Sequence, residues 1–331
     1  MKKILISFLI PCLLLPLLLC GCGSQKDTAV TVRLSEVTHS VFYAPQYVAI
    51  SQGFFADEGL NVELSNGGGA DKVMTAVVSG QADIGLAGAE ACIYVCNQGK
   101  EDYPKLFAQL TKRDGSFLVG RTNEDFRWEN LKGKTVIGGR DGGMPEMTLE
   151  YVMDQNGVTP HVDAVVDTSV QFNMMAGAFT GGNGDYVALF EPTATEVVET
   201  GQGYILCSIG EATGEVPYTA YFACQSYMAE HPDVMQGFTN AIARAQQWVA
   251  EHTDREVAEA IADQFPDTDI SVLETVTARH RAIDAWKLTP SLTEQALLNL
   301  EDVMEHAGVL AHSERVDFDD LVDNTWAKNI G

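Results

Sequence analysis

The sequence predicts an α/β protein of two lobes, each a mostly parallel sheet flanked by helices. Three observations predict it. Thr31 to Gly88 alternates strand and helix as β-α-β-α-β within 58 residues, the pattern that builds parallel sheet. A second series of strand–glycine–helix corners lies between Asn130 and Pro192. The chain has 331 residues, more than a typical single domain holds.

In the first series, Thr31 to Leu34 is short, extended and β-branched at its start. From Tyr43 to Gln52 the spacing turns helical, with Tyr47, Val48 and Ile50 on one face. Gly53-Phe54-Phe55 and Glu58-Gly59-Leu60 close that helix, and Asn61 to Leu64 alternates as a second strand. Gly67-Gly68-Gly69 precedes a helix over Ala70–Ser79, and Ala82 to Leu86 is a third strand. Ligands of such sheets bind beyond the carboxyl ends of the strands. The corners there are Thr38 to Tyr43, Asn66 to Ala70 and Ala87 to Glu90. They make Thr38, His39, Phe42, Tyr43, Gly68, Gly69, Gly88 and Glu90 candidate ligand-binding residues. The aromatic, hydroxyl-rich set around His39 suits a flat ring or an apolar chain with a polar head.

Tyr103–Leu110 and Phe117–Arg121 are the next strand-like segments. A strand over Thr135–Gly138 leads into Gly139-Arg140-Asp141-Gly142-Gly143-Met144-Pro145, and a helix follows over Glu146–Gln155. Pro145 suits a first helical turn. Gly142 and Gly143 let backbone come close to a ligand, and free N–H groups at a helix start attract an acceptor. Arg140, Gly142, Gly143 and Met144 are therefore candidates, a plain tight turn being the alternative. His161–Val166 reads as a strand and Ser169–Phe179 as a helix. The strand from Gly184 to Phe190 ends in Glu191-Pro192 and places Glu191 at its carboxyl end, as a ligand contact or as a cap on the helix Thr193–Glu199. Tyr204–Ile209 and Thr219–Cys224 are strands, and Tyr218 and Tyr221 are candidates beside the cleft, core packing being the alternative. Beyond Gln225 the pattern is helical. Val234, Phe238, Ile242, Ala245 and Val249 form a buried stripe. Arg255–Phe265 and Leu292–Ala307 are amphipathic, and residues 266–290 carry no clear period.

The run YAPQYVAISQGFFADEGLNVEL…GGGADKVMTAVVSGQADIGLAG resembles the binding proteins of ABC importers for sulfonates, taurine, nitrate and thiamine-pyrimidine precursors. It matches that family's aromatic corner, helix, G-[FY]-F-x-x-E-G-L-x-V-E, glycine corner, helix and G-x-A-D-[IV]-G in order. Asn130 to Val136 resembles the family's D-L-K-G-K-x-[VI]. Gly184 to Pro192 resembles its G-x-[VA]-D-A…[EDW]-P, with Tyr186 or Asp185 at the aspartate position. Pro232, Val234, Phe238, Ala241, Ala245 and Trp248 resemble a family helix, and the likeness fades over the last 80 residues or so. It implies a type II periplasmic-binding-protein fold with a two-segment hinge. The first lobe would hold residues 30–112 and 222–331, and the second 113–221. It also implies ligand capture between the lobes and closure toward a permease. One related group synthesises thiamine pyrimidine with a histidine and a cysteine-rich iron-binding stretch, and this chain has no such cluster.

Met1-Lys2-Lys3 and the apolar run Ile4–Leu19 suit an export signal over residues 1–21. Leu19-Cys20-Gly21-Cys22 resembles a bacterial lipobox, with cleavage after Gly21, a lipid (palmitate) on Cys22 and a tether over 22–29. Cys20 fits worse, and an ordinary secretory signal is the alternative. The expected location is the outer face of the cytoplasmic membrane. Without residues 1–21 the chain holds 19 basic and 46 acidic residues, or −27. That charge argues against nucleic acid, whose phosphates need a basic surface. Cys92 and Cys96 share a helix face with no metal-spaced partners and read as buried thiols, while a Cys207–Cys224 pairing is not deducible.

The chain contains no G-x-S-x-G, H-E-x-x-H, P-loop or G-x-G-x-x-G opening a helix. The expectation is a monomeric, lipid-anchored receptor without catalytic residues, metal or cofactor, whose partners are a small ligand, an ABC permease and its ATPase. A sensor module would share these features. If Glu90 and Glu191 both face the cleft uncompensated, they favour an N–H-bearing heterocycle such as an aminopyrimidine over a sulfonate. The heterocycle is the favoured ligand, with Phe42 and Tyr43 to stack on it; pairing of either glutamate with Lys112, Arg113 or Arg140 would take it out of the site and narrow that preference.

Overall fold

A computed structural model describes residues 29–330, so the export signal, Cys22 and nearly all of the tether lie outside the described residues. Ten strands are described: β1 (Val30–Glu36), β2 (Leu60–Asn66), β3 (Ile84–Ala87), β4 (Pro104–Thr111), β5 (Phe117–Gly120), β6 (Thr135–Ile137), β7 (Val165–Asp167), β8 (Tyr186–Leu189), β9 (Tyr204–Ser208) and β10 (Thr219–Cys224). They form two five-stranded sheets, ordered β2-β1-β3-β10-β4 and β7-β6-β8-β5-β9. β1 is parallel to β2 and β3, while β10 runs antiparallel to β3 and β4. β6 is parallel to β7 and β8, while β5 runs antiparallel to β8 and β9. In each sheet one reversed strand is inserted among four that share a direction. Helices flank both sheets, and the architecture is α/β and two-lobed.

Each lobe has its own core. The first packs Leu34, Ile84, Leu86, Phe107 and Phe222 with the long helix Pro232–Glu251, which contributes Phe238 and Ile242. The second packs Val119, Ile137, Val187, Leu149 and Phe179. Met144 and Met147 belong to the first core although their helix, Met144–Gln155, is anchored in the second lobe by Leu149, Val152 and Met153. The lobes thus meet through apolar surface at the start of that helix.

Three stretches differ from the sequence expectation. The strand expected over His161–Val166 is confined to Val165–Asp167, because His161 adopts a left-handed φ of 60° that breaks extended backbone. The helix expected over Ser169–Phe179 becomes a 3-10 turn, Phe172–Met174, followed by Met175–Thr180. Residues 266–290 contain a helix, Ile270–Ala282, whose buried face includes Thr277 and His280. Polar residues on the inner face erase the apolar period by which such a helix is recognised. No helix among the described residues is long and apolar enough to cross a membrane. Cys92, Cys96, Cys207 and Cys224 are free thiols.

Candidate functional site

The carboxyl ends of the two parallel strand sets face each other across a cavity between the lobes. About 60 Å3 of it is open to the centres of water molecules, room for several waters or one small organic molecule. The first lobe supplies Val37, Tyr43, Gly68, Gly69, Gly88 and Glu90. The second supplies Arg140, Gly143, Met144, Gln171, Phe172 and Phe190, and Tyr218 and Thr219 line the crossing.

Two helices begin at this cavity without side-chain caps. Gly69 precedes the helix Ala70–Val78, and Gly143 precedes Met144–Gln155, which has a proline in its first turn. Their leading N–H groups have no intrahelical partner and carry the positive end of the helix dipole. Gly68 and Gly69 hold φ of 70° and 152°, which only glycine adopts without strain. At Gly88 a methyl group would fall 2.0 Å from Glu90 Oε2 and 2.8 Å from Met144 Cγ. The backbone is bare there because a carboxylate and the other lobe come so close.

Glu90 is 1 % exposed, and its Oε2 has no hydrogen-bond partner. Burial raises its pKa to about 7, against Arg140 and neighbouring N–H groups, including that of Met144, which pull it down. The cavity therefore holds a carboxyl that exchanges its proton near neutrality, a guanidinium, and the rings of Tyr43, Phe172, Phe190 and Tyr218.

The structure gathers Tyr43, Gly68, Gly69, Gly88, Glu90, Arg140, Gly143, Met144 and Tyr218 at this cavity. The remaining candidates lie elsewhere. Phe42 is fully buried against Tyr43, Phe190, Tyr218 and His280. Tyr221 is core, its hydroxyl donating to Gln46 Oε1 at 3.0 Å. Gly142 faces Tyr94, whose hydroxyl donates to the Gly142 carbonyl at 2.9 Å across the lobes. Thr38 and Glu191 line a neighbouring depression with His39 and Ser40. Both ring nitrogens of His39 are engaged there, one at 2.7 Å from Glu36 Oε1 and the other at 2.8 Å from the Gln264 carbonyl.

Glu191 joins the lobes. Its Oε1 accepts from Arg279 at 2.5 Å and from Thr195 Oγ1 at 3.0 Å, its Oε2 accepts from the Thr195 N–H at 2.9 Å, and its carbonyl accepts from Ser40 Oγ at 2.5 Å. Burial raises its pKa, opposed by the Thr195 N–H and then by Arg279. The compensating cation is none of those weighed from sequence, since Lys112 and Arg113 turn to Asp284 at 2.7 and 3.8 Å. Val37, Gln171, Phe172 and Phe190 are cavity residues that the sequence reading did not single out. Phe190 could have been found from its place next to Glu191 at the end of β8. Gln171 and Phe172 lie in the segment read as helix.

A model described as the NMT1-like family matches residues 25–263. YtlA of Bacillus subtilis (strain 168), provisionally called a binding protein, is 43% identical over 307 residues, covering 92% of this chain and 91% of its own. The periplasmic nitrate-binding protein NrtA from Synechocystis PCC 6803 superposes with a TM-score of 0.74 at 16% identity, over 91% of this chain and 88% of that one. The alkanesulfonate-binding protein SsuA from Xanthomonas axonopodis pv. citri, bound to MOPS, superposes with a TM-score of 0.70 at 16% identity, over 89% and 98%.

Proposed function

The chain belongs to the NMT1-like family, and from that premise we propose that it is a lipid-anchored extracytoplasmic receptor of an ABC importer. It captures a small polar organic ligand between its lobes and presents the closed form to a permease and its ATPase. The observation that carries this reading is the cavity itself, lined from both lobes by uncapped helix starts, Arg140 and a buried carboxyl. No chemical step on the ligand is assigned. The lobes comprise residues 30–112 with 222–331, and 113–221. The anchor rests on the lipobox-like Leu19-Cys20-Gly21-Cys22, and mass spectrometry of the mature amino terminus should find lipid on Cys22.

The favoured ligand is a pyrimidine-like heterocycle of the thiamine-precursor kind. An unpartnered buried Glu90 oxygen needs a donor, and four aromatic rings offer stacking faces. A sulfonate or similar anion is the second reading, favoured by Arg140, by the two helix starts and by the likeness to sulfonate- and nitrate-binding proteins. Removal of Glu191 from the cavity, where Arg279 compensates it, narrows the gap between the two.

A thermal-shift panel of aminopyrimidines, sulfonates, taurine, nitrate, bicarbonate and flavins tests both. A ligand at a hundredfold excess over its dissociation constant stabilises the folded form by about 2.7 kcal/mol. A shift with an aminopyrimidine that is lost in Glu90→Gln supports the heterocycle, whereas a shift with sulfonates alone overturns it. Deleting the gene should abolish uptake of that ligand, and unchanged uptake with altered signalling would make the protein a sensor.

A further inference from the structure

We propose a divalent transition-metal site in the second lobe, formed by Glu146, Glu150 and His161 and separate from the ligand cavity. It does not depend on the receptor reading. Glu146 and Glu150 stand one turn apart on the helix Met144–Gln155 and so project from one face. They are 3 % and 6 % exposed. His161 comes from the turn after that helix, where φ of 60° is a conformation that a non-glycine residue seldom adopts. One donor atom from each of the three lies within 4.8 Å of the other two.

Neighbouring acids alone would signify little. The independent observation is Glu150 Oε1, which is buried and accepts no hydrogen bond. His161 Nε2 stands 2.7 Å away, yet the pair is not aligned for a shared proton. A buried oxygen without a donor is costly, and a cation between it and the imidazole lone pair would satisfy both. Glu146 is oriented from behind, since its Oε2 accepts from the Gly142 N–H at 3.1 Å. Such support from a neighbouring hydrogen bond is what fixes a metal-ligating carboxylate.

One imidazole nitrogen and two carboxylate oxygens suit Zn2+, Mn2+ or Co2+, whereas a hard cation such as Ca2+ or Mg2+ prefers oxygen alone. Zinc holds such donors at about 2.0–2.2 Å, so small side-chain rotations would close the set. His161 is exposed, which leaves a path for entry and an open position for water. The bound ion would tie the 156–164 turn to the helix whose first residue, Met144, lines the cavity.

The test is calorimetry of tag-free, chelator-stripped protein with ZnCl2 and with CoCl2. One equivalent should bind, and the melting temperature should rise by several degrees. Loss of a supporting partner typically weakens metal binding about 10–100-fold, so Glu150→Gln and His161→Ala should each weaken it by at least ~10-fold. Glu146→Gln should do the same while keeping the fold, since it removes a buried like-charge contact. The cobalt spectrum should show nitrogen and oxygen ligation without a thiolate charge-transfer band. No saturable binding by either ion would overturn the proposal. So would affinity unchanged in His161→Ala, or a thiolate band, which would move the ion to Cys92 or Cys96.

Discussion

The two lobes share a plan and differ in what they bring to the cavity. Each sheet has parallel strands whose carboxyl ends open on the cleft and one reversed strand, β10 or β5, inserted where the chain crosses between lobes. Each also presents an uncapped helix start behind a glycine. The first lobe adds acids there, Glu90 and Asp71, and the second adds the cation Arg140. At the neighbouring depression the signs reverse: the second lobe supplies Glu191 and the first supplies Arg279. Each lobe thus carries charge whose counterpart is on the other. A helix start and a tight turn explain the shared backbone, and the side chains beyond them decide how strongly the lobes hold together.

The largest expected effect comes from breaking the Arg279–Glu191 pair. Removing one partner of a buried pair leaves an uncompensated charge, which typically costs about 3–5 kcal/mol. Arg279 is about a third exposed, so solvent screens part of the loss and about 2–3 kcal/mol is expected for Arg279→Leu. Urea unfolding should show it, and the double variant Arg279→Leu/Glu191→Gln should regain most of it. A single variant as stable as the parent would mean that the N–H and hydroxyl of Thr195 alone satisfy the Glu191 carboxylate.

The next effect runs in the opposite direction, toward stability. Burial holds the folded-state pKa of Glu90 at about 7, above the ordinary 4.5. The folded protein therefore binds a proton here more tightly than the unfolded chain. That contribution is fully present below pH 4.5, declines as pH rises from there to about 7, and is gone above it. At 1.36 kcal/mol per pKa unit, the ionised carboxylate costs the folded state about 3 kcal/mol at pH 8. Glu90→Gln should accordingly stabilise the ligand-free protein by about 2–3 kcal/mol at pH 8 and by nearly nothing at pH 4. Equal effects at both pH values would show that Arg140 and the neighbouring N–H groups offset burial in full and leave Glu90 the same pKa in the folded and unfolded chain.

Most of the alternating fold was legible because it rests on local period. β10 and the helix Thr193–Glu199 fall at the bounds read from sequence, and β1 to β3 fall within a few residues of theirs. The glycine corners were legible for the same reason, since a strand, a glycine and a helix start are neighbours in the chain. What stayed hidden depends on distant partners. Arg279 meets Glu191 across 88 residues, and no local pattern marks it as the compensating cation. Phe42 looked like a stacking face at a corner, but packing around His280 and Tyr218 turned it into the core. Gln171 and Phe172 reach the cavity because the backbone there is an extended bend and a 3-10 turn. His161 was read as part of a strand because its left-handed backbone has no signature in a histidine.

The smallest effect separates closure from folding. Tyr94, in the first lobe, donates to the buried Gly142 carbonyl of the second at 2.9 Å. A neutral hydrogen bond of this kind contributes about 1 kcal/mol, and the bond can form only while the lobes are together. In Tyr94→Phe the closed form should lose about fivefold in population relative to the open one. A ligand that requires the closed form should bind weaker by a similar factor. The unfolding free energy should change less, because an open but folded protein returns the carbonyl to water. Small-angle scattering of the ligand-free variant should show a larger radius of gyration than the parent, converging to the parent's value once ligand saturates it. If affinity is unchanged while stability falls by the full amount, the Tyr94 bond supports the fold of the glycine corner and contributes nothing to the choice between open and closed.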